Sequence, residues 1–167
     1  MEKTFNKIKV YLDTSVISYL EQDDAPEQMR ITNEVWETLK NGKYDIYISN
    51  VVFREISECS DKNKAQILLK HLSEIDYKYV NVTEKAVALA EKIVDFGILK
   101  KRSFDDCQHI AAAIMSNCDV IMSWNFKHIV NINTMKGIKV LTTMEGYKDI
   151  LIYSPEAFLI DKEDNDD

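Results

Sequence analysis

Short runs of β-prone residues alternate with longer helical patterns along this 167-residue chain, and this alternation limits the fold more than any other feature. A first strand is predicted at Val10–Leu12 and a second over 44–49, while apolar residues recur at helical spacing over 25–41. Strands that alternate with helices form parallel sheets that are covered on both faces. The sequence therefore predicts an α/β fold, a three-layer α/β/α sandwich with a central, mostly parallel sheet.

The remaining segments continue the same alternation. Further helices are predicted over 50–59, 61–72, 83–95 and 103–117, and a short closing helix over 153–159. Further strands are predicted over 77–82, 119–124 and 137–141. Gly97 is a typical helix stop signal after the segment 83–95.

The composition favours one domain. Hydrophobic residues make up 46% of the chain, and only two prolines and four glycines are present, which argues against a linker-rich protein. We expect a single domain over residues 1–160. Residues 161–167 hold five acids and one lysine, so much of the net charge of −7 lies there, and this stretch is expected to be a disordered acidic tail.

The cysteines and the apolar runs indicate the cellular location of the protein. Three cysteines without a C-x-x-C pair favour neither a disulfide framework nor a zinc knuckle, and suit a reducing cytoplasm. The polar N-terminus does not resemble a signal peptide, and no run of about 18 apolar residues predicts a membrane span. A cytoplasmic protein without a membrane segment is therefore expected.

Asp13 ends the first predicted strand and is followed by two hydroxyl residues, Thr14 and Ser15. In an open parallel sheet, ligands bind at the carboxyl ends of the strands, so Asp13 is expected to lie at a ligand-binding position. The alternative is that Asp13 is only the N-cap of the following helix, because Asp, Thr and Ser all cap well.

Asp106 lies near the start of the predicted helix 103–117, on the side that borders the core. Ile110 and Ala113 follow it at helical spacing, whereas the adjacent Asp105 falls on the outer side. A capping box that begins at Ser103 is the structural alternative for Asp106.

Glu55 lies on the apolar side of the predicted helix 50–59. Val51, Val52 and Cys59 share its face. A carboxylate on that side needs a partner, because burying an unpaired charge is costly.

Asp13, Glu55 and Asp106 are therefore predicted to converge from three separate segments. Two like charges about 4 Å apart repel by roughly 4 kcal/mol at an effective dielectric constant of about 20. Three carboxylates together require a cation, and a set of oxygen ligands without Cys or His favours Mg²⁺ or Mn²⁺ over zinc.

The ordered set of these motifs resembles the PIN-domain nucleases, in particular the VapC-like toxins of toxin–antitoxin pairs. The matching pieces extend from about residue 8 to 141, and two runs, Asp-Cys-Gln-His-Ile-Ala-Ala-Ala and Ser-Trp-Asn-Phe-Lys-His-Ile, are the most distinctive. The resemblance implies a metal-dependent endoribonuclease in which Asp13, Glu55 and Asp106 are catalytic, metal-binding carboxylates. Where the family commonly has a fourth acid, this chain has Asn125, whose amide oxygen is expected to complete the metal site without adding charge.

Substrate-binding residues are expected beside these acids. Lys101 and Arg102 precede the acidic helix and Lys127 follows Asn125, so all three are candidates for contacts with RNA phosphates. A solvated basic loop is the alternative for Lys101 and Arg102. Ser15 either hydrogen-bonds near the metal and substrate or caps a helix. The resemblance further implies an RNA substrate, an antitoxin partner and a homodimer.

Three other functions remain to be weighed. A PIN-fold module weakened at Asn125 would bind nucleic acid or protein without turnover. A phosphatase with Asp13 as nucleophile would usually carry another Asp where this chain has Ser15. A receiver domain would need a lysine at a later strand end, and 123–125 does not supply one. The endoribonuclease accounts for most of these residues.

Overall fold

The computed structural model describes residues 6–159. Within them, the strands are β1 (Lys9–Leu12), β2 (Asp45–Ser49), β3 (Lys78–Val80), β4 (Val120–Met122) and β5 (Leu151–Tyr153). The helices are α1 (Thr14–Ser18), α2 (Pro26–Lys40), α3 (Asn50–Ser57), α4 (Lys62–Leu72), α5 (Glu84–Asp95), α6 (Phe104–Met115) and α7 (Ile132–Glu145). Short 3-10 turns occupy Tyr19–Glu21, Lys101–Ser103 and Pro155–Phe158.

The five strands form one parallel sheet in the order β3-β2-β1-β4-β5. β1 lies at the centre, and its Leu12 stands opposite Met122 of β4. The residues that follow these two strands, Asp13 and Ser123, therefore leave the sheet side by side at its carboxyl edge. This architecture confirms the predicted three-layer α/β/α fold.

Alternation along β1 separates the two halves of the core. Val10 and Leu12 pack into an apolar cluster with α2, α3 and α4, whereas Tyr11 points into a second cluster built from α5, α6 and α7. Period-two side-chain alternation in a buried strand requires apolar residues on both faces, which is why the three residues are all buried. The sheet edge between the two clusters carries the polar residues described below.

The predicted last strand over 137–141 is wrong, because these residues lie inside α7. Asn131 begins this helix by accepting the N–H of Thr134, and Gly146 ends it in the left-handed region with φ of 74°. The apolar run read as a strand is the buried side of a longer helix, and β5 is formed by the segment Leu151–Tyr153 instead. A 3-10 turn at Pro155–Phe158 stands in place of the predicted closing helix.

Predicted helix ends at α3, α5 and α6 differ in how they are capped. Ser49 caps α3 by accepting the N–H of Val51, and Gly97 follows α5 with φ of 73°. Ser103 makes no side-chain capping bond to α6, which argues against the capping-box alternative for Asp106.

The acidic tail over 161–167 lies outside the described residues, and the division into a domain over 1–160 and a tail stays a prediction. Within residues 6–159, none of the helices combines the length and apolar content that crossing a bilayer requires.

Candidate active site

Asp13 is almost completely buried at the carboxyl end of β1, with 3% of its surface exposed. Its side chain makes no capping bond to α1, which excludes the simple N-cap interpretation. Instead Ser15 donates to Oδ1 at 2.5 Å and Ser123 donates to Oδ2 at 2.7 Å. Both carboxylate oxygens are thus held by hydroxyl groups, one from α1 and one from the end of β4.

Asp106 lies in the first turn of α6 and faces the segment that follows β4. Asn125 Nδ2 donates to Asp106 Oδ1 at 3.3 Å, and His128 Nδ1 lies 2.8 Å from Oδ2. Asn125 also accepts the backbone N–H of His128 at 3.0 Å, which fixes the turn that presents both side chains. The neighbouring Asp105 points outward and pairs with Arg54, as its helical position predicts.

Glu55 projects from α3 and is held through its Oε1 atom. Thr14 donates to Oε1 at 3.1 Å, and His109 Nε2 lies 2.5 Å from the same oxygen. His109 is buried, with 2% of its surface exposed.

Hydrogen bonds link Asp13 to Asp106, and Glu55 is tied to the same region through Thr14, the residue that follows Asp13. Ser123 donates to Asp13 and accepts the N–H of Asn125 at 2.9 Å, and Asn125 in turn donates to Asp106. Thr14, the residue after Asp13, reaches Glu55. The predicted acids at 13, 55 and 106 therefore belong to a single cluster at the carboxyl edge of the sheet.

The charges in this cluster perturb one another. Burial raises the pKa of Asp13 and of Asp106, and in each case a neighbouring carboxylate raises it further. Burial by itself lowers the pKa of His109, but its hydrogen bond to Glu55 and the surrounding carboxylates outweigh burial and raise that pKa overall. The carboxylates thus disfavour one another's ionisation, and the imidazole rings of His109 and His128 contact two of them.

The ligand types in the cluster suit a hard divalent cation, because carboxylate and amide oxygens predominate and the raised pKa values of Asp13 and Asp106 disfavour ionisation without a counter-charge. Within the described part of the chain, no three His, Cys, Asp or Glu side chains already stand in an arrangement that could hold a metal ion. Both oxygens of Asp13 and of Asp106 accept bonds from protein donors. Each oxygen has two lone pairs, so one remains for a cation at each.

The candidate substrate-binding residues fall into two groups. Lys101 and Arg102 lie in the 3-10 turn directly before α6, and Lys127 lies in the turn between Asn125 and His128. All three side chains are exposed, and none forms an ion pair with another described residue. Ser15, by contrast, is occupied by Asp13 and by the backbone N–H of Trp124, which it accepts at 2.9 Å.

Sequence reasoning missed the partners of the acids. The ring of His128 pairs with Asp106, a contact that the sequence pattern did not indicate. Ser123 was not singled out, although its place at the end of a strand adjacent to β1 puts it beside Asp13. That adjacency was the available signal, because residues that follow neighbouring parallel strands meet at one edge.

Asp119 directly precedes β4, at the opposite edge of the sheet from the cluster. Its side chain accepts the backbone N–H of Lys9 at 2.8 Å and pairs with Lys148, and the Lys148 hydrogen bond holds the pKa of Asp119 below its usual range.

Comparisons with known proteins concern the fold and the family of this chain. No curated protein sequence matches the chain. Among solved structures, VapBC2 from Rickettsia felis, bound to a DNA fragment from their promoter, is 15% identical with a TM-score of 0.55, and the match covers 88% of this chain and 98% of that one. VapBC-1 from nontypeable Haemophilus influenzae is 17% identical with a TM-score of 0.54, and the match covers 89% and 99%. These likenesses concern the fold. A family model described as the PIN domain matches residues 10–127, which spans Asp13, Glu55, Asp106 and Asn125, and the chain belongs to the PIN domain family.

Proposed function

We propose that this protein is a divalent-metal-dependent endoribonuclease that hydrolyses RNA phosphodiester bonds, and that it acts as the toxin of a toxin–antitoxin pair. The observation that carries the proposal is the clustering of Asp13, Glu55 and Asp106 at the carboxyl edge of the sheet, where Asp106 interacts electrostatically with both other acids. Their membership of a PIN domain supports the same activity.

In this proposal Asp13, Glu55 and Asp106 hold Mg²⁺ or Mn²⁺, and Asn125 contributes its amide oxygen. When bound, such an ion lowers the pKa of a coordinated water and neutralises charge on the scissile phosphate. Ser15 and Ser123 orient the carboxylate of Asp13 through the two hydroxyl contacts described above.

The amide of Asn125 adds no negative charge, so the site carries three carboxylates at most. Magnesium sites commonly use one or two carboxylates together with waters and substrate phosphates. The proposed site therefore needs only one ion.

RNA phosphates would be contacted by Lys101, Arg102 and Lys127. The three side chains are exposed and free of ion pairs with described residues, so no protein carboxylate competes with the nucleic acid for them. Backbone contacts of this kind give affinity without sequence specificity.

The proposed partners are an antitoxin protein and a second copy of the chain. The similar structures are VapBC assemblies, which supports an antitoxin. β5 is the outer strand of the sheet and carries the half-exposed Leu151 and Tyr153, which supports pairing between copies. The free cysteines, Cys59, Cys107 and Cys118, support a reducing cytoplasmic location.

The decisive experiment incubates the purified protein with single-stranded RNA and Mn²⁺ or Mg²⁺, with and without EDTA. We expect cleavage that requires the metal and that is lost in Asp13→Asn, whereas Asp105→Asn, a change of the adjacent outward carboxylate, retains it. Cleavage that survives EDTA or persists in D13N would contradict the metal mechanism.

The second candidate is a PIN-fold module that binds RNA without turnover, favoured by the amide at Asn125. Binding of the same RNA by the wild-type protein with no cleavage at any metal concentration would support this module instead of the nuclease.

A further inference from the structure

A chain of hydrogen bonds runs behind the acidic cluster, from β2 through β1 and α6 to Glu55. The hydroxyl of the fully buried Tyr11 lies 2.7 Å from Ser49 Oγ and 2.7 Å from His109 Nδ1. On the other side of the imidazole ring, Nε2 lies 2.5 Å from Glu55 Oε1. A buried polar chain therefore ends on one of the three proposed metal-binding carboxylates.

The directions of these bonds follow from the donors available. An ionised carboxylate only accepts, so His109 donates to Glu55 through Nε2–H, and in the neutral imidazole Nδ1 accepts the hydroxyl proton of Tyr11. Ser49 accepts the N–H of Val51 at 3.2 Å and is then free to donate to Tyr11. The hydroxyls of Tyr11 and Ser49 each donate once and accept once, so no polar side chain along this line of hydrogen bonds is left without a partner.

Packing alone does not call for this hydroxyl. Tyr11 lies in the apolar cluster formed by α5, α6 and α7, where a phenylalanine would fill nearly the same space. Its register neighbour across the sheet, Tyr47, is also buried, yet the Tyr47 hydroxyl lies 3.5 Å from Lys78 Nζ, away from the acids. Of these two tyrosines, only Tyr11 is connected to the cluster.

These hydrogen bonds reach only one oxygen of the Glu55 carboxylate. Thr14 and His109 both contact Oε1, whereas Oε2 accepts no hydrogen bond from any described residue. Holding one oxygen by two donors restricts rotation of the carboxylate and leaves the second oxygen free to act as a ligand.

We propose that Tyr11 and His109 are positioning residues that hold Glu55 in the orientation required for the divalent-cation site. This inference rests on the proposed function, because it assigns Glu55 to that site. Outer hydrogen bonds to metal ligands typically account for about 10–100-fold in metal affinity.

The test measures Mn²⁺ affinity by isothermal titration calorimetry in the absence of RNA. We expect Tyr11→Phe to weaken Mn²⁺ binding by roughly tenfold, whereas Tyr47→Phe, the same change at the register neighbour, leaves the affinity within about twofold. In a Glu55→Ala background, Tyr11→Phe should change the affinity by less than about twofold, because the hydroxyl acts only through Glu55.

A second pair of variants covers the case in which Y11F does not fold, which circular dichroism and the melting temperature would reveal. His109→Gln keeps an N–H donor near the place of Nε2, whereas His109→Ala removes it. We expect H109Q to retain more of the Mn²⁺ affinity than H109A. In RNA cleavage, variants whose circular dichroism shows the same folded fraction as the wild type should lose kcat with little change in KM, which loss of substrate contacts would not produce.

The outcomes separate the two proposals. A wild-type protein that neither binds Mn²⁺ nor cleaves RNA would contradict both the proposed function and this inference. A wild-type protein that binds Mn²⁺, together with Y11F equal to Y47F or with a full Y11F effect persisting in E55A, would overturn the positioning role alone.

Discussion

Replacing Asn125 by aspartate tests the proposed cation site most directly. Asn125 Nδ2 stands 3.3 Å from Asp106 Oδ1, and its own Oδ1 accepts the N–H of His128. Asn125→Asp keeps that acceptor but turns the donor into a second carboxylate oxygen. The substitution therefore adds one negative charge against Asp106 with little change in shape.

The separation of 3.3 Å sets the size of the effect. Two unit charges at that distance repel by about 5 kcal/mol at an effective dielectric constant of 20 and by about 1 kcal/mol in water. Both side chains are partly exposed, so we take the lower part of this range, about 1–2 kcal/mol. The metal-free variant should lose that much stability, a melting temperature lower by roughly 2–8 °C.

A bound cation removes the repulsion, so the same free energy returns as affinity. We expect the Mn²⁺ Kd of N125D to fall by about tenfold, since about 1.4 kcal/mol corresponds to one decade. Calorimetry measures the affinity, and thermal melts with and without Mn²⁺ measure the linked stability. Asn125→Ala is the matched control, because it removes the donor without adding charge and should not tighten binding.

Equal Mn²⁺ affinities in wild type and N125D, or equal gains in N125D and N125A, would refute the placement of residue 125 at the cation site. A melting temperature that does not fall in metal-free N125D would refute the electrostatic part of the reasoning.

Three further predictions concern pH, packing and RNA. The pKa values of Asp13 and His109 are raised in the folded state, so the stability they contribute is present below their ordinary pKa values, about 4 and 6.5, and is lost as the pH rises above them. Urea midpoints of the metal-free protein should therefore decrease as the pH rises from about 4 to above 6.5, and a midpoint that does not change would contradict this. Gly137→Ala in α7 would place a Cβ 2.7 Å from Ile98 Cγ1. The overpacking cost of about 1–3 kcal/mol should exceed the helix-propensity gain of up to about 1 kcal/mol, so the melting temperature should be lower. A higher melting temperature would show that the contact relaxes. Lys127→Ala should reduce the steepness with which the logarithm of the binding constant for single-stranded RNA falls with the logarithm of the salt concentration by about 0.7, the change for one phosphate contact. Fluorescence anisotropy with the D13N protein measures this slope, and an unchanged slope would exclude Lys127 from the RNA-binding surface.

Much of the fold was predictable because local patterns and global topology agree here. The β-prone run before Asp13 and the helical spacing around Asp106 were both read correctly. The segment 137–141 misled, because β-branched and apolar residues in a short window do not distinguish a strand from one face of a helix. Its caps, Asn131 and Gly146, lie outside that window and decide the helix.

The candidate site was predictable in its acids and not in their partners. Spacing placed Glu55 and Asp106 on core-facing sides of their helices, and parallel pairing brings the ends of β1 and β4 together. The histidine contacts were not foreseeable, because His109 is separated from Tyr11 by most of the chain, and only the packing of α6 on the sheet brings the two rings within reach.

By itself, the sequence determined the alternation of strands and helices, the carboxyl-edge location of Asp13 and the choice of oxygen-rich side chains, because these depend on local propensity and on periods of 2 and 3.6 residues. Only the tertiary structure decided that Ser123 holds Asp13, that His128 pairs with Asp106, and that Oε1 of Glu55 is held while Oε2 is free of protein donors. Hydrogen bonds between distant segments depend on strand register and helix placement to within an ångström, and no pattern in the sequence carries that information.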